Sequence, residues 1–192
     1  MTDSSTKPVL GVIIASTRPG RIGKPIGDWF TSAARGEGSF EIRVLDLAEI
    51  NLPFLDEPNH PRMQKYTQPH TIAWSEQVAA CDAFVFVHPE YNYSPPATLI
   101  NALDYLNKEW ANKPVGLVSY GGVSAGLRAA SHLKEIMQAL MLLCVQPAVS
   151  IPFAQQHIDY NKVFTPPAEN AAAVEPMLKA ILERHEVLSQ LR

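Results

Sequence analysis

Apolar and polar positions alternate along this chain between two periods. Val9 to Ala15 reads V-L-G-V-I-I-A, a continuous apolar run rich in β-branched residues. Such a run predicts a strand buried on both faces. From Ile22 to Ala34 the period changes, and Ile26, Trp29, Phe30 and Ala33 recur at helical spacing, with Pro25 tolerable in the first turn. Phe40 to Leu47 alternates and predicts a second strand nearer a sheet edge. A helix is expected over roughly His70 to Cys81, then a buried strand over Ala83 to His88. Pro95-Pro96 opens a helix carrying Leu99, Ala102, Leu103 and Leu106 on one face. Val115 to Tyr120 is the fourth strand. Ser124 to Leu140 is a helix with Leu127, Ala130, Leu133, Met137 and Leu140 in register. The fifth strand lies within Leu142 to Ile151, where Pro147 removes a ladder donor and so suits an edge. The last helix occupies much of Glu169 to Leu191, with Pro176 marking a late start or a break.

Strand and helix alternate throughout, without internal repeat or low-complexity tract. Parallel strands joined by right-handed crossovers give a doubly wound sheet with helices on both faces. Five strands fit the flavodoxin-like order 2-1-3-4-5. In such sheets ligands bind at the carboxyl ends of the strands, near the switch point between the first and third. The loops after strands one, three and four are therefore the places to look.

At 192 residues the chain suits a single domain spanning residues 1–192. Hydrophobic residues make up 46% and charged residues 18%, enough apolar material for a core. A net charge of -3 argues against nucleic acid or an anionic membrane as main partner. Cys81 and Cys144 fit no metal or redox spacing, which predicts free, buried thiols in a reducing compartment. Met1 to Pro8 is polar and short, so neither a signal peptide nor an anchor is expected there. The apolar stretch around Ala139 to Val145 is far short of the about 20 residues that cross a bilayer. These features predict a soluble, cytoplasmic protein. His60, His70, His88, His132, His157 and His185 are scattered without metal-ligand spacing, so no metal site is expected.

The first loop reads Ser16-Thr17-Arg18-Pro19-Gly20-Arg21-Ile22-Gly23. Ser16 and Thr17 offer hydroxyls, Gly20 and Gly23 allow close backbone approach, and the following helix start is positive. Arg18 and Arg21 add donors matched to phosphate. The segment is neither a G-x-G-x-x-G nor a Walker A loop, since Pro25 follows Gly23-Lys24. An ordinary turn with a capping serine and two surface arginines would share the pattern. The second loop, His88-Pro89-Glu90-Tyr91-Asn92-Tyr93-Ser94-Pro95-Pro96, is stiff and aromatic. It suits the border of a flat heterocycle, or a rigid turn covering the core. The third, Ser119-Tyr120-Gly121-Gly122-Val123-Ser124-Ala125-Gly126, can lie against a ring system, with Ser124 as a helix N-cap.

The Ser16-Thr17-Arg18 loop, the Pro89-Glu90-Tyr91-Asn92-Tyr93-Ser94 segment and Ser119-Tyr120-Gly121-Gly122 together resemble the NADPH-dependent FMN reductase family, which includes quinone, azo-dye and chromate reductases. The resemblance spans about Leu10 to Phe153. It implies non-covalent FMN, NADPH or NADH as co-substrate, a small electron acceptor, and a homodimer or homotetramer. By position, Ser16, Thr17, Arg18, Arg21, Ile22 and Gly23 would meet the phosphate. Pro89, Glu90, Tyr91, Asn92 and Tyr93 would meet the isoalloxazine and ribityl groups. Ser119, Tyr120, Gly121 and Gly122 would flank the pyrimidine side. Many relatives carry a serine where Arg21 stands, which leaves its side chain pointing to phosphate or to solvent. His88 is read as structural.

The resemblance implies that the flavin does the chemistry in a ping-pong cycle, taking a hydride at N5 and handing two electrons to the acceptor. No catalytic side chain is expected beyond support from Asn92 or backbone N–H groups near Gly121. The proline-rich segment from Asn51 to Pro69, with Arg62, Tyr66 and His70, is either a wall of the acceptor site or a surface cover. The Leu99–Leu106 helix and Trp110 form either a subunit interface or part of the domain's own core. Two other functions fit the fold: a flavodoxin-type electron carrier without NAD(P)H turnover, and a flavin-free regulatory module. The modest charge weighs against the carrier.

Overall fold

A computed structural model describes residues 7–192. The expectation for Met1 to Pro8 falls, as far as residue 6, outside the described residues. Strand β1 (Val9–Ile14) is followed by α1 (Gly23–Glu37), β2 (Glu41–Asp46) and the short α2 (Leu47–Ile50). Then come α3 (Pro69–Ala79), β3 (Ala83–Pro89), α4 (Ala97–Asp104), β4 (Pro114–Tyr120) and α5 (Leu127–Ala139). Two short strands, β5 (Leu143–Cys144) and β6 (Val149–Ile151), precede α6 (Ala168–Ala172) and α7 (Val174–Leu188).

The sheet runs β2-β1-β3-β4-β5, all parallel, with β6 also on β4. This is the flavodoxin-like order. The expected fifth strand is split, because Gln146-Pro147-Ala148 interrupts the ladder and lets the two halves pair with different parts of β4. Pro176 lies in the first turn of α7, just past the break at Ala173 between α6 and α7.

β3 and β4 are buried along their whole length, as continuous apolar runs require. Alternate strand residues feed two cores. On one face Leu10, Val12, Val85 and Val118 meet Ile26 and Phe30 of α1 and Met177 and Ile181 of α7. On the other, Ile13, Phe84, Phe86 and Leu117 meet Trp74 of α3, Leu99 and Leu103 of α4 and Leu133 of α5. Trp110 is fully buried in that second core, as are Leu99 and Leu103. The apolar face of α4 and Trp110 therefore pack in this domain's own core. Cys81 is buried and free, and Cys144 is free and partly buried.

Two expectations at α5 are corrected. Gly126, in the left-handed conformation, takes the N-cap position in place of Ser124. Leu127, expected in the core, is 55% exposed: the helix begins at that residue, with Leu127 and Arg128 turned outward and Ala129 and Ala130 turned to the core. No described helix is long and apolar enough to cross a membrane.

Candidate functional site

β1, β3, β4 and β6 end side by side, and the loops leaving them enclose a cavity of about 360 Å³. That volume falls in the range of small-molecule sites, roughly 300–1,000 Å³. Of the residues that the resemblance assigns to the cofactor, Ser16, Arg18, Arg21, Ile22, Pro89, Glu90, Tyr91, Tyr120, Gly121 and Gly122 line it. Gly20, Phe153, Gln155 and Gln156 line it as well. The rule that selected the loops after three strands applies equally to the one after β6, and following it would have found the last three.

Thr17, Gly23, Asn92, Tyr93 and Ser119 are not in the cavity lining. Thr17 is exposed and borders a separate cleft with Leu47, Asn51 and Asn101. Asn92 and Tyr93 form the tip of a two-residue turn with φ of 50° and 68°, closed by paired backbone bonds between Tyr91 and Ser94 of 2.9 Å each. Ser119 is buried beneath the site, its hydroxyl 3.3 Å from that of Ser150.

In the first loop, Pro19 and Gly20 occupy the centre of a tight turn. Gly20 has a φ of 71°, and the Arg21 N–H bonds to the Arg18 carbonyl at 3.0 Å. Arg21 points neither to solvent nor openly into the cavity. Its guanidinium forks onto Asp46 at 2.5 and 2.7 Å and also donates to the Ser16 carbonyl at 2.7 Å. Arg18 makes no ion pair among the described residues. The Ser16 hydroxyl lies 2.8 Å from the Tyr91 hydroxyl. Burial pushes the Tyr120 phenol well above its ordinary range, so it stays neutral. Its hydroxyl abuts Gly23, where any Cβ would run into it.

The second and third loops brace each other. The Glu90 N–H donates to the Tyr120 carbonyl at 3.2 Å. The Glu90 carboxylate receives the Arg128 Nε–H at 2.7 Å, and the Arg128 guanidinium sits 3.8 Å over the Tyr93 ring. The Gly121 N–H already donates to the Ile151 carbonyl at 3.2 Å. The anion-stabilising donor expected near Gly121 is therefore not Gly121's own amide. Phe153 and Ala154 donate to the Gly122 and Gly121 carbonyls at 3.0 Å each, which fixes the loop from the β6 side.

The segment from Asn51 to Pro69 is held down elsewhere. Its Tyr66 hydroxyl donates to Glu109 at 2.9 Å, and His70 bonds Asp56 at 2.9 Å. Arg62 is exposed, and none of these three lines the cavity. Asn101 of α4 binds both the Pro53 carbonyl and the Leu55 N–H, so side chains replace the missing secondary structure.

His88 is fully buried at the end of β3. Its Nδ1–H donates to the Pro89 carbonyl at 3.1 Å, and Nε2 has no partner among the described residues. Burial pushes its pKa from 6.5 down to about 4. The folded value lies below the unfolded one, so the unfolded chain takes up the proton first as pH falls. Stability should be full above about pH 6.5 and fall towards pH 4, by an amount on the order of 3 kcal/mol. Urea denaturation at pH 7.5 and 5 checks this, and His88→Gln should flatten the difference.

The chemistry of the first loop fits a phosphate. α1 is 15 residues long and its N-cap, Ile22, offers no side-chain acceptor. Pro25 supplies no N–H, so Gly23 and Lys24 carry the free first-turn donors. Arg18 adds a cation with no carboxylate partner among the described residues. Gly122 faces open space, leaving room for a flat ring against the third loop.

A family model described as NADPH-dependent FMN reductase matches residues 8–156. The chain belongs to that family. An NAD(P)H-dependent FMN reductase of Schizosaccharomyces pombe is 40% identical over 149 residues, 76% of this chain and 74% of that protein. A 2-hydroxy-1,4-benzoquinone reductase of a Burkholderia species is 28% identical over 161 residues, 79% of this chain and 82% of that one. Among solved structures, the NAD(P)H:(acceptor) oxidoreductase FerB of Paracoccus denitrificans superposes with a TM-score of 0.73 at 17% identity. It covers 92% of this chain and 98% of its own, and shares the fold.

Proposed function

We propose that the chain binds FMN non-covalently in this cavity and passes two electrons from NADPH or NADH to a quinone-like, azo or other small acceptor in ping-pong order. The observation that carries this is the convergence of three loops at the carboxyl edge of the sheet, around a helix start without a side-chain cap and beside Arg18, which has no ion-pair partner among the described residues. Arg18, the Ser16 hydroxyl and the N–H groups of Gly23 and Lys24 would hold the phosphate. Pro89, Glu90, Tyr91 and Tyr120 through Gly122 would hold the ring, with Phe153, Gln155 and Gln156 as the outer wall. Bound FMN would accept hydride from the nicotinamide and reduce the acceptor. The protein's part is placement, since no nucleophile or metal constellation is needed. Relatives named as FMN reductases and as a benzoquinone reductase support the donor and the acceptor class.

Incubation with FMN and removal of excess should leave flavin absorbance bound to the protein. Anaerobic addition of NADPH or NADH should bleach it, and a quinone should restore it. Uptake without bleaching would make the protein an electron carrier instead. A protein that takes up no flavin would end the proposal.

A further inference from the structure

The two arginines of the first loop are bound in opposite ways, and the difference has a functional consequence. Arg21 reaches across the sheet edge to Asp46, the last residue of β2. Asp46 pairs in register with Ile14 of β1, so its carboxylate stands beside the start of the loop. The Asp46 side chain is only 1% exposed, and its Oδ1 also accepts the Ala48 N–H at 3.1 Å, which fixes its direction as the cap of α2. Arg21 Nη1 uses both protons, one on Asp46 and one on the Ser16 carbonyl, while Nη2 takes the second Asp46 oxygen. Such a planar fork holds orientation as well as charge.

We infer that Arg21 and Asp46 are positioning residues: their ion pair clamps the Ser16–Gly23 loop in shape for the cofactor phosphate, and Arg18 supplies the loop's charge. This rests on the FMN reading above. The clamp ties residue 21 to the Ser16 carbonyl, and the Arg21–Arg18 backbone bond closes the turn inside it. Gly23 begins α1 two residues later. The clamp therefore sets where the phosphate-facing N–H groups point. The paired carboxylate also cancels most of the field that Arg21 would exert on a phosphate. A lysine at 21 would keep the charge and lose the fork.

The test is a double-mutant cycle on the deflavinated protein, titrated with FMN and with riboflavin, which lacks the phosphate. Arg21→Gln and Asp46→Asn should each weaken FMN roughly 10- to 100-fold, and the double variant about as much as either alone. Arg21→Lys should resemble Arg21→Gln. Riboflavin binding should stay near wild type in all of them, showing the ring site intact. Arg18→Gln should weaken FMN too and reduce its salt dependence, independently of Asp46. Asp46→Asn binding FMN as well as or better than wild type, while Arg21→Gln loses it, would make Arg21 a direct phosphate ligand and overturn the clamp.

Amide hydrogen exchange over residues 16–24 needs no flavin. It should accelerate equally in Arg21→Gln and Asp46→Asn, and unchanged exchange in both would also overturn the clamp. A wild-type protein that binds neither flavin, yet shows the coupled exchange, would instead sink the cofactor reading alone.

Discussion

Replacing Gly23 by alanine is expected to weaken FMN binding by roughly 30- to 100-fold while the domain stays folded. The new Cβ would strike the Tyr120 hydroxyl and lie 3.3 Å from its Cζ. Tyr120 cannot swing away. It closes β4 between Pro89 and Ile151, is 3% exposed, and packs in the core beneath α1. The strain must then move the start of α1, which carries the donors proposed for the phosphate. Overpacking of this kind typically costs about 1–3 kcal/mol. Titration of the deflavinated protein measures the loss, and thermal melting shows whether folding shares it. Tyr120→Phe in the alanine background removes the hydroxyl and should restore much of the affinity. Unchanged FMN affinity in Gly23→Ala would remove this helix start from the phosphate site.

This glycine illustrates what the sequence could and could not carry. Its place in a strand–turn–helix segment was legible, because β1 and α1 differ in period and the turn residues are distinctive. The strand order and the three loops were legible for the same reason. The partner that forces a glycine at 23 was not, since Tyr120 lies 97 residues away and meets it only through the sheet register. Arg21 was ambiguous on similar grounds. Its charge suggests phosphate, and only the position of Asp46 at the end of the neighbouring strand shows that the charge is already matched. Phe153, Gln155 and Gln156 stayed hidden because Pro147 blurs the fifth strand, and with it the loop that strand delivers to the cavity. The bounds of α5 failed differently. Ser124 has the chemistry of a cap, but Gly126 starts the helix two residues later.

Trp110→Ala should cost about 3–5 kcal/mol of folding stability, the range for a large aromatic deleted from a packed core. The helical spacing of Leu99, Ala102, Leu103 and Leu106 suits a core or an interface equally, so this variant separates the two physically. Trp110 has no exposed surface, and its ring meets those of Phe84, Trp74 and Phe86 at centroid distances of 5.0, 6.0 and 6.5 Å. Its Nε1–H donates to the Leu103 carbonyl at 3.1 Å, which ties the end of α4 to the sheet. Deleting it opens a cavity among rings that cannot collapse together, and removes one of the hydrogen bonds to the Leu103 carbonyl, which keeps the Leu106 N–H at 3.3 Å. Trp110→Phe fills most of the space and should cost less, with the lost indole hydrogen bond worth about 0.5–1.5 kcal/mol. Urea denaturation measures both, and light scattering run alongside reads the assembly state. A core role predicts a falling midpoint at every protein concentration, with assembly unchanged under native conditions. An interface role predicts the reverse: smaller particles, and a midpoint that recovers as protein concentration rises.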